Sequence, residues 1–179
     1  MIKLKTPISE ETRLSLRAGE QILLSGVIYT GRDAAHKRLV ESVKENHTLP
    51  INFNHQIIYY VGPTPPKPSM PIGSCGPTSS YRMDPYSNVL MPYGLKCMIG
   101  KGDRSDEFII ELVKNKAVYF IAIGGIGAKL SKSVKSSKVI LYDELQSEAI
   151  RELYVEDFPV IVAYDSVGNN VFKQKDISK

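Results

Sequence analysis

Cysteine is scarce in this chain: Cys75 and Cys97 stand far apart and in no metal-ligand spacing. Two thiols cannot ligate a four-iron cluster, which needs three or four, and a small buried thiol is the expected role for both. No apolar run approaches the roughly 20 residues of a membrane span. The opening Met1-Ile-Lys-Leu-Lys-Thr-Pro7 lacks the apolar centre of a signal peptide, so the expected location is cytoplasmic. Excess charge is slight, +4 from 23 basic and 19 acidic residues, too mild by itself to point to nucleic acid. The one basic concentration, Lys129, Lys132, Lys135 and Lys138, alternates with serines and contains no aromatic ring to stack on a base. It reads as a solvated face rather than a nucleic-acid groove. No internal repeat is evident.

What is present is an ordinary globular composition, 42% hydrophobic and 23% charged over 179 residues, enough for one domain spanning 1–179 with a real core. Helical and strand patterns alternate. Ser9 is a cap with Glu10 and Glu11 in the first turn. Residues 21–29 are branched and aromatic, a strand. Asp33 is expected to cap a helix whose buried stripe is Ala35, Leu39 and Val43. Strands are expected at 57–61, 95–99, 117–123, 139–142 and 158–164, with helices after Asp84-Pro85, from Ser105 or Asp106 with a face of Phe108, Ile109, Leu112 and Val113, and over 148–153. A hairpin turn is read at 166–169, and the tail from 173 as frayed. The fold class is α/β with a mixed sheet.

The stretch richest in chemistry is Gly73-Ser-Cys-Gly-Pro-Thr-Ser-Ser-Tyr-Arg-Met-Asp84. It is too polar for a core and too rich in glycine for a regular element, hence a binding loop. Thr78, Ser79 and Ser80 donate and accept hydrogen bonds, and Arg82 offers the paired donors that match a carboxylate or a phosphate. The competing view is a serine-rich helix cap beside a surface arginine. Five prolines between 62 and 71 preclude helix and central strand and read as a stiff loop delivering the chain to Gly73. Gly124-Gly-Ile-Gly-Ala128 lacks the third glycine of a dinucleotide fingerprint and reads as a glycine-rich turn near a substrate. His36 stands where it would bind or shuttle a proton beside Arg32, although a packing or surface role weighs more; His47 and His55 join no constellation.

Gly31-Arg-Asp-Ala-Ala-His-Lys-Arg38, Gly76-Pro-Thr-Ser-Ser-Tyr-Arg-Met-Asp-Pro-Tyr86 and Met98-Ile-Gly-Lys-Gly102, in this order, resemble the signature segments of a known family. It is that of the β subunits, or carboxy-terminal domains, of class I iron-sulfur fumarate hydratases and L(+)-tartrate dehydratases. The likeness runs over nearly the whole chain, and three separated motifs are a far more specific signal than one.

The resemblance implies a swivelling β/α/β domain with a mixed sheet flanked by helices. It implies a hydro-lyase that interconverts (S)-malate and fumarate, and an active site shared with an α subunit in an α2β2 heterotetramer. The [4Fe-4S] cluster is expected in that α subunit, with no metal bound by this chain. Thr78 is associated by resemblance with proton transfer at the substrate carbon and Arg82 with a substrate carboxylate; Ser79 and positions matching Arg32 and Lys101 complete the substrate pocket. Ser79 departs from the threonine of many relatives, and Tyr81 from a smaller residue. Alternatives at this point are an L(+)-tartrate dehydratase β subunit and a non-enzymatic dicarboxylate-binding module, and phosphate would satisfy the same cations.

Overall fold

Along residues 57–61 and 97–99, successive side chains enter two different cores. Ile57, Tyr59, Val61, Cys97 and Ile99 join one cluster; Ile58, Tyr60 and Met98 join the other. This period of two is what a strand buried on both faces requires. The computed structural model describes residues 1–123 and 130–172; the glycine-rich stretch 124–128, Lys129 and the tail 173–179 lie outside them.

Seven strands, β1 (Ile2–Lys5), β2 (Gln21–Thr30), β3 (Ile57–Tyr59), β4 (Cys97–Gly100), β5 (Val118–Ala122), β6 (Val134–Leu141) and β7 (Ile150–Tyr164), form one sheet in the order β1-β2-β3-β4-β5-β7-β6. Strands β1 to β5 run parallel to one another. The long β7 pairs antiparallel with β2, β5 and β6, so the sheet closes back on itself through β2 and β7. One core lies inside this closure, where Ile22, Leu24 and Ile28 of β2 meet Phe158, Val160 and Val162 of β7. The second core lies under three helices, α2 (Asp33–Asn46), α3 (Asp84–Leu90) and α4 (Asp106–Lys114). The protein is thus an α/β structure with a mixed sheet and flanking helices. A short helix, α1 (Glu10–Ser15), precedes β2.

Local chemistry explains the helix starts. Ser9 accepts the Thr12 amide at 3.2 Å and Ser105 accepts the Phe108 amide at 3.1 Å, each satisfying a donor the first turn cannot pair. At α2 and α3 the expected caps sit one position inside. Arg32 and Met83 hold the cap positions without side-chain bonds, and Asp33 and Asp84 are the first helical residues. Glu148 reaches back to the Ala34 amide at 3.4 Å.

The helix expected over 148–153 is a strand instead. Residues from 150 onward begin β7, and Ile150 and Leu153 are fully buried in different cores. The sheet edge overrides a short local pattern with no cap. β1 and the first half of β6 were not legible as strands, and Val113 is exposed rather than buried. Lys132, Lys135 and Lys138 are exposed, as a solvated face requires.

Candidate functional site

The carboxyl ends of three adjacent parallel strands collect every site residue the sequence nominated. Arg32 stands two residues beyond β2, and the Gly31 amide bonds the Tyr59 carbonyl of β3 at 3.1 Å. Thr78 docks onto the residue after β3: its amide donates to the Tyr60 carbonyl at 2.9 Å and its hydroxyl to the same oxygen at 3.3 Å. Lys101 follows β4 directly, and Ser79 pairs with it in a parallel bridge. The segment 78–80 therefore wedges between the ends of β3 and β4. At about 4.8 Å per strand, Arg32, Thr78 and Lys101 span about 10 Å of one sheet edge.

Ser80 locks the wedge. It is fully buried, its amide donates to the Lys101 carbonyl at 3.1 Å, and its hydroxyl accepts the Lys101 amide at 3.0 Å and is hydrogen-bonded to the Tyr119 hydroxyl at 2.8 Å. Upstream, the Tyr59 hydroxyl donates to the Cys75 carbonyl at 2.5 Å, and Thr64 in the proline-rich loop accepts the Ser74 amide at 2.7 Å. The prolines thus hold the Gly73 loop against the sheet, the function their stiffness suits.

The cations differ in how they are engaged. Arg82 pairs with Asp33 at 3.3 Å, both about half exposed, a contact worth about 0–1 kcal/mol and cheaply exchanged for another carboxylate. Lys101 is exposed, with no ion pair among the described residues. Arg32 is half-buried, its Nε without a hydrogen-bond partner among the described residues. Its stem lies so close to Gly62 that a Cβ there would come within 2.7 Å of Arg32 Cδ, so glycine at 62 is what lets this arginine lie along the edge. A cleft of about 500 Å³ opens on the far side of Arg82, lined by Tyr81, Pro85, Asn88, Ser105 and Glu107. Arg32, Thr78 and Lys101 do not line it; they form a shelf.

His36 is a packing residue. It is fully buried, edge-on to Tyr60, and its Nδ1 lies 2.8 Å from the Arg32 carbonyl. A carbonyl only accepts, so Nδ1 carries the proton and donates. Burial drives the imidazole pKa down to about 4, with Arg104 adding to the shift and the Arg32 bond and Asp33 opposing it. With the folded value below the unfolded one, the stabilisation is complete above about 6.5 and is lost as pH falls toward 4. Unfolding free energies measured in urea at a series of pH values should fall through this window with a slope of up to about 1.4 kcal/mol per pH unit from this group. The His36→Gln variant should lack that component.

The cysteines do not fit a cluster. Cys75 and Cys97 are buried, and burial pushes both thiols up to about 12; two thiols fall short of the three or four a four-iron cluster takes. Among the described residues no group of three His, Cys, Asp or Glu side chains is placed to hold a metal.

Sequence reasoning missed the group beneath the shelf. Arg104 is buried, its Nε donates to Asp84 and its Nη2 to the Tyr60 hydroxyl at 3.3 Å and the Ser87 hydroxyl at 3.2 Å. Asp84 also accepts the Ser105 amide at 2.7 Å. Only the position of Arg104, three residues past Lys101, hinted at this; nothing in the sequence pairs it with an aspartate 20 residues earlier.

Fold and edge together define an α/β domain that presents cations and hydroxyls at the carboxyl ends of parallel strands, where such sheets take ligands. The chain belongs to the family described as Fumarase C-terminus, which it matches over residues 1–175. It is 39% identical over 165 residues to the putative L(+)-tartrate dehydratase subunit beta of Methanocaldococcus jannaschii, covering 89% of this chain and 85% of that one. It is 34% identical over 184 residues to the putative fumarate hydratase class I of Geobacillus stearothermophilus, covering 100% of this chain and 34% of that protein. Against the anaerobic class I fumarate hydratase of Escherichia coli it is 38% identical over 156 residues, 86% of this chain and 28% of that one. The chain thus spans about a third of the length of the fumarate hydratases it matches. Among the described residues no helix is long and apolar enough to cross a membrane.

Proposed function

We propose that this chain is the β subunit of a hydro-lyase that reversibly dehydrates (S)-malate to fumarate, acting together with a cluster-bearing α subunit in an α2β2 assembly. The observation that carries the reading is the convergence of Arg32, Thr78, Arg82 and Lys101 on one strand-end edge. A four-carbon diacid needs a cation at each end. Arg32 and Lys101 flank the edge, and Arg82 is released from Asp33 at little cost. A hydrogen bond to a charged group contributes about 1.5–3 kcal/mol, so two such clamps support micromolar-to-millimolar binding once association costs are met. Thr78, between the cations, is the group placed to hold or pass a proton at the substrate carbon. Among the described residues the Thr78 hydroxyl bonds only the Tyr60 carbonyl, so in this proposal the base that receives its proton comes from the α subunit.

Two buried cysteines, Cys75 and Cys97, fall short of the three or four thiolates a four-iron cluster takes, so in this proposal the [4Fe-4S] cluster belongs to the α subunit. A second reading, L(+)-tartrate as substrate, is favoured by one observation: the relative matched over most of its own length is named as a tartrate dehydratase subunit beta. The test is anaerobic mixing with the cluster-bearing partner, followed by fumarate formation from malate and by oxaloacetate formation from L(+)-tartrate. Activity on malate above that of either component alone is the expected result. No gain on either substrate would overturn the proposal, and a faster rate on tartrate would move it to the second reading.

A further inference from the structure

The part of the shelf that carries Thr78, Arg82 and Lys101 consists of two loops that share no covalent neighbour. One carries Thr78 and Arg82 and runs into α3; the other carries Lys101 and runs into α4. Two layers of contacts hold them in register. The upper layer is the Ser80, Lys101 and Tyr119 set described above, extended by the Tyr119 hydroxyl's bond to the Gly102 carbonyl at 2.9 Å. The lower layer centres on Arg104.

The Arg104 guanidinium bridges all the elements beneath the shelf. Its Nε bonds Asp84, two residues past Arg82, and Nη2 bonds Tyr60, whose carbonyl anchors Thr78. Its plane packs on Phe108 of α4, with the guanidinium carbon 3.6 Å from the ring centroid, and lies 4.8 Å from the ring of Tyr119. Its amide donates to the Tyr164 hydroxyl at 3.0 Å, and the Tyr164 and Tyr119 rings stack at 5.6 Å. Every element that supplies a site residue between β3 and α4 therefore meets at one planar cation. A lysine offers one point charge there, without the fork that reaches Asp84, Tyr60 and Ser87 together.

We propose that Arg104 is a positioning residue: by bonding Asp84 and Tyr60 at once it sets the separation of Thr78 and Arg82 from Lys101. It touches no substrate itself. The assignment rests on the hydro-lyase reading for its catalytic consequence, but the coupling of the two loops does not. Displacing a reacting group by about 1 Å costs on the order of 10²-fold in rate, which sets the scale of the effect.

The test uses Arg104→Lys and, as a control for general destabilisation, Leu112→Ala in the core under α4. Hydrogen exchange of the isolated chain reads the coupling directly. Arg104→Lys is expected to speed exchange at the amides of Thr78, Ser80, Lys101 and Ser105 by at least about tenfold relative to the rest of the sheet, while Leu112→Ala raises exchange without singling out these sites. In the assembled enzyme, kcat/KM for malate should fall about 10- to 100-fold in Arg104→Lys, at equal folded concentration, and stay within about threefold in Leu112→Ala. Unchanged relative exchange at those four amides in Arg104→Lys would overturn the proposal, as would an unchanged kcat/KM in an active assembly. A wild-type assembly that fails to act on malate or tartrate counts against the proposed function instead, and the exchange result then decides the positioning role alone.

Discussion

Thr78→Val, in the chain assembled with the proposed α subunit, is expected to lower kcat by about 10²- to 10⁴-fold, the range for removing a positioned proton-transfer group, with KM changed far less. Valine keeps the shape and the branching at Cβ, so the backbone of the wedge survives. The Thr78 amide remains bonded to the Tyr60 carbonyl at 2.9 Å, and Ser80 still locks onto Lys101 and Tyr119. What disappears is the hydroxyl alone, whose bond to the Tyr60 carbonyl at 3.3 Å is long. Its loss costs the fold no more than about 1 kcal/mol. Thr78→Ser keeps the oxygen and should retain most of the activity. The measurement is steady-state rate in both directions, hydration and dehydration, since a group that moves a proton slows both equally. A valine variant within about threefold of wild type would remove Thr78 from the chemistry and leave it a packing residue.

Such a large effect is tied to where Thr78 stands. A threonine hydroxyl is a weak acid and a weak base, and it acts only where nearby charge favours sharing its proton. Ser79 pairs with Lys101 in a parallel bridge, so the backbone of Lys101 runs alongside the segment that carries the Thr78 hydroxyl. Lys101 in turn owes its place to the Ser80 hydroxyl on its amide. Position, charge and hydroxyl are set by the same three-residue wedge.

That wedge was legible as composition before it was legible as geometry. Glycine, proline and adjacent hydroxyls announced a loop, and two strand-to-glycine transitions announced Arg32 and Lys101 at strand ends. Those signals are local, and the structure places the residues together through parallel pairing of β2, β3 and β4. Two features stayed hidden because their causes are not local. β7 swallows what looked like a short helix, since pairing with β2 and β5 from distant parts of the chain, and with the neighbouring β6, outweighs propensity. Arg104 resembles any surface arginine near a helix start until Asp84, Phe108 and Tyr119 close around it. His36 lay between these cases: a lone histidine on the apolar stripe of α2, it is one of the buried residues of that helix and bonds the carbonyl of Arg32.

The tightest steric constraint on the site is a missing side chain, and Gly100→Ala is expected to destabilise the protein by about 3–5 kcal/mol, from overpacking together with broken buried hydrogen bonds. Gly100 ends β4 and is buried under Ser80. A Cβ there would overlap the Ser80 hydroxyl, lie 2.9 Å from Tyr60 Cδ2 and 3.1 Å from Ser80 Cβ. Ser80 does not turn aside freely, because its oxygen accepts the Lys101 amide and is hydrogen-bonded to the Tyr119 hydroxyl. Turning it away breaks both bonds and leaves the Lys101 amide without its acceptor. Either response shifts the wedge, so in the cold, where the variant still folds, KM for malate should rise along with the loss of stability. Urea unfolding of wild type, Gly100→Ala, Ser80→Gly and the double variant forms a cycle that isolates the clash. Ser80→Gly removes the colliding atoms, and the double variant should therefore be more stable than the sum of the single losses predicts, by at least about 1 kcal/mol. An additive cycle, or a Gly100→Ala variant within about 1 kcal/mol of wild type, would show that β4 and the wedge have room between them and that Ser80 does not set their distance.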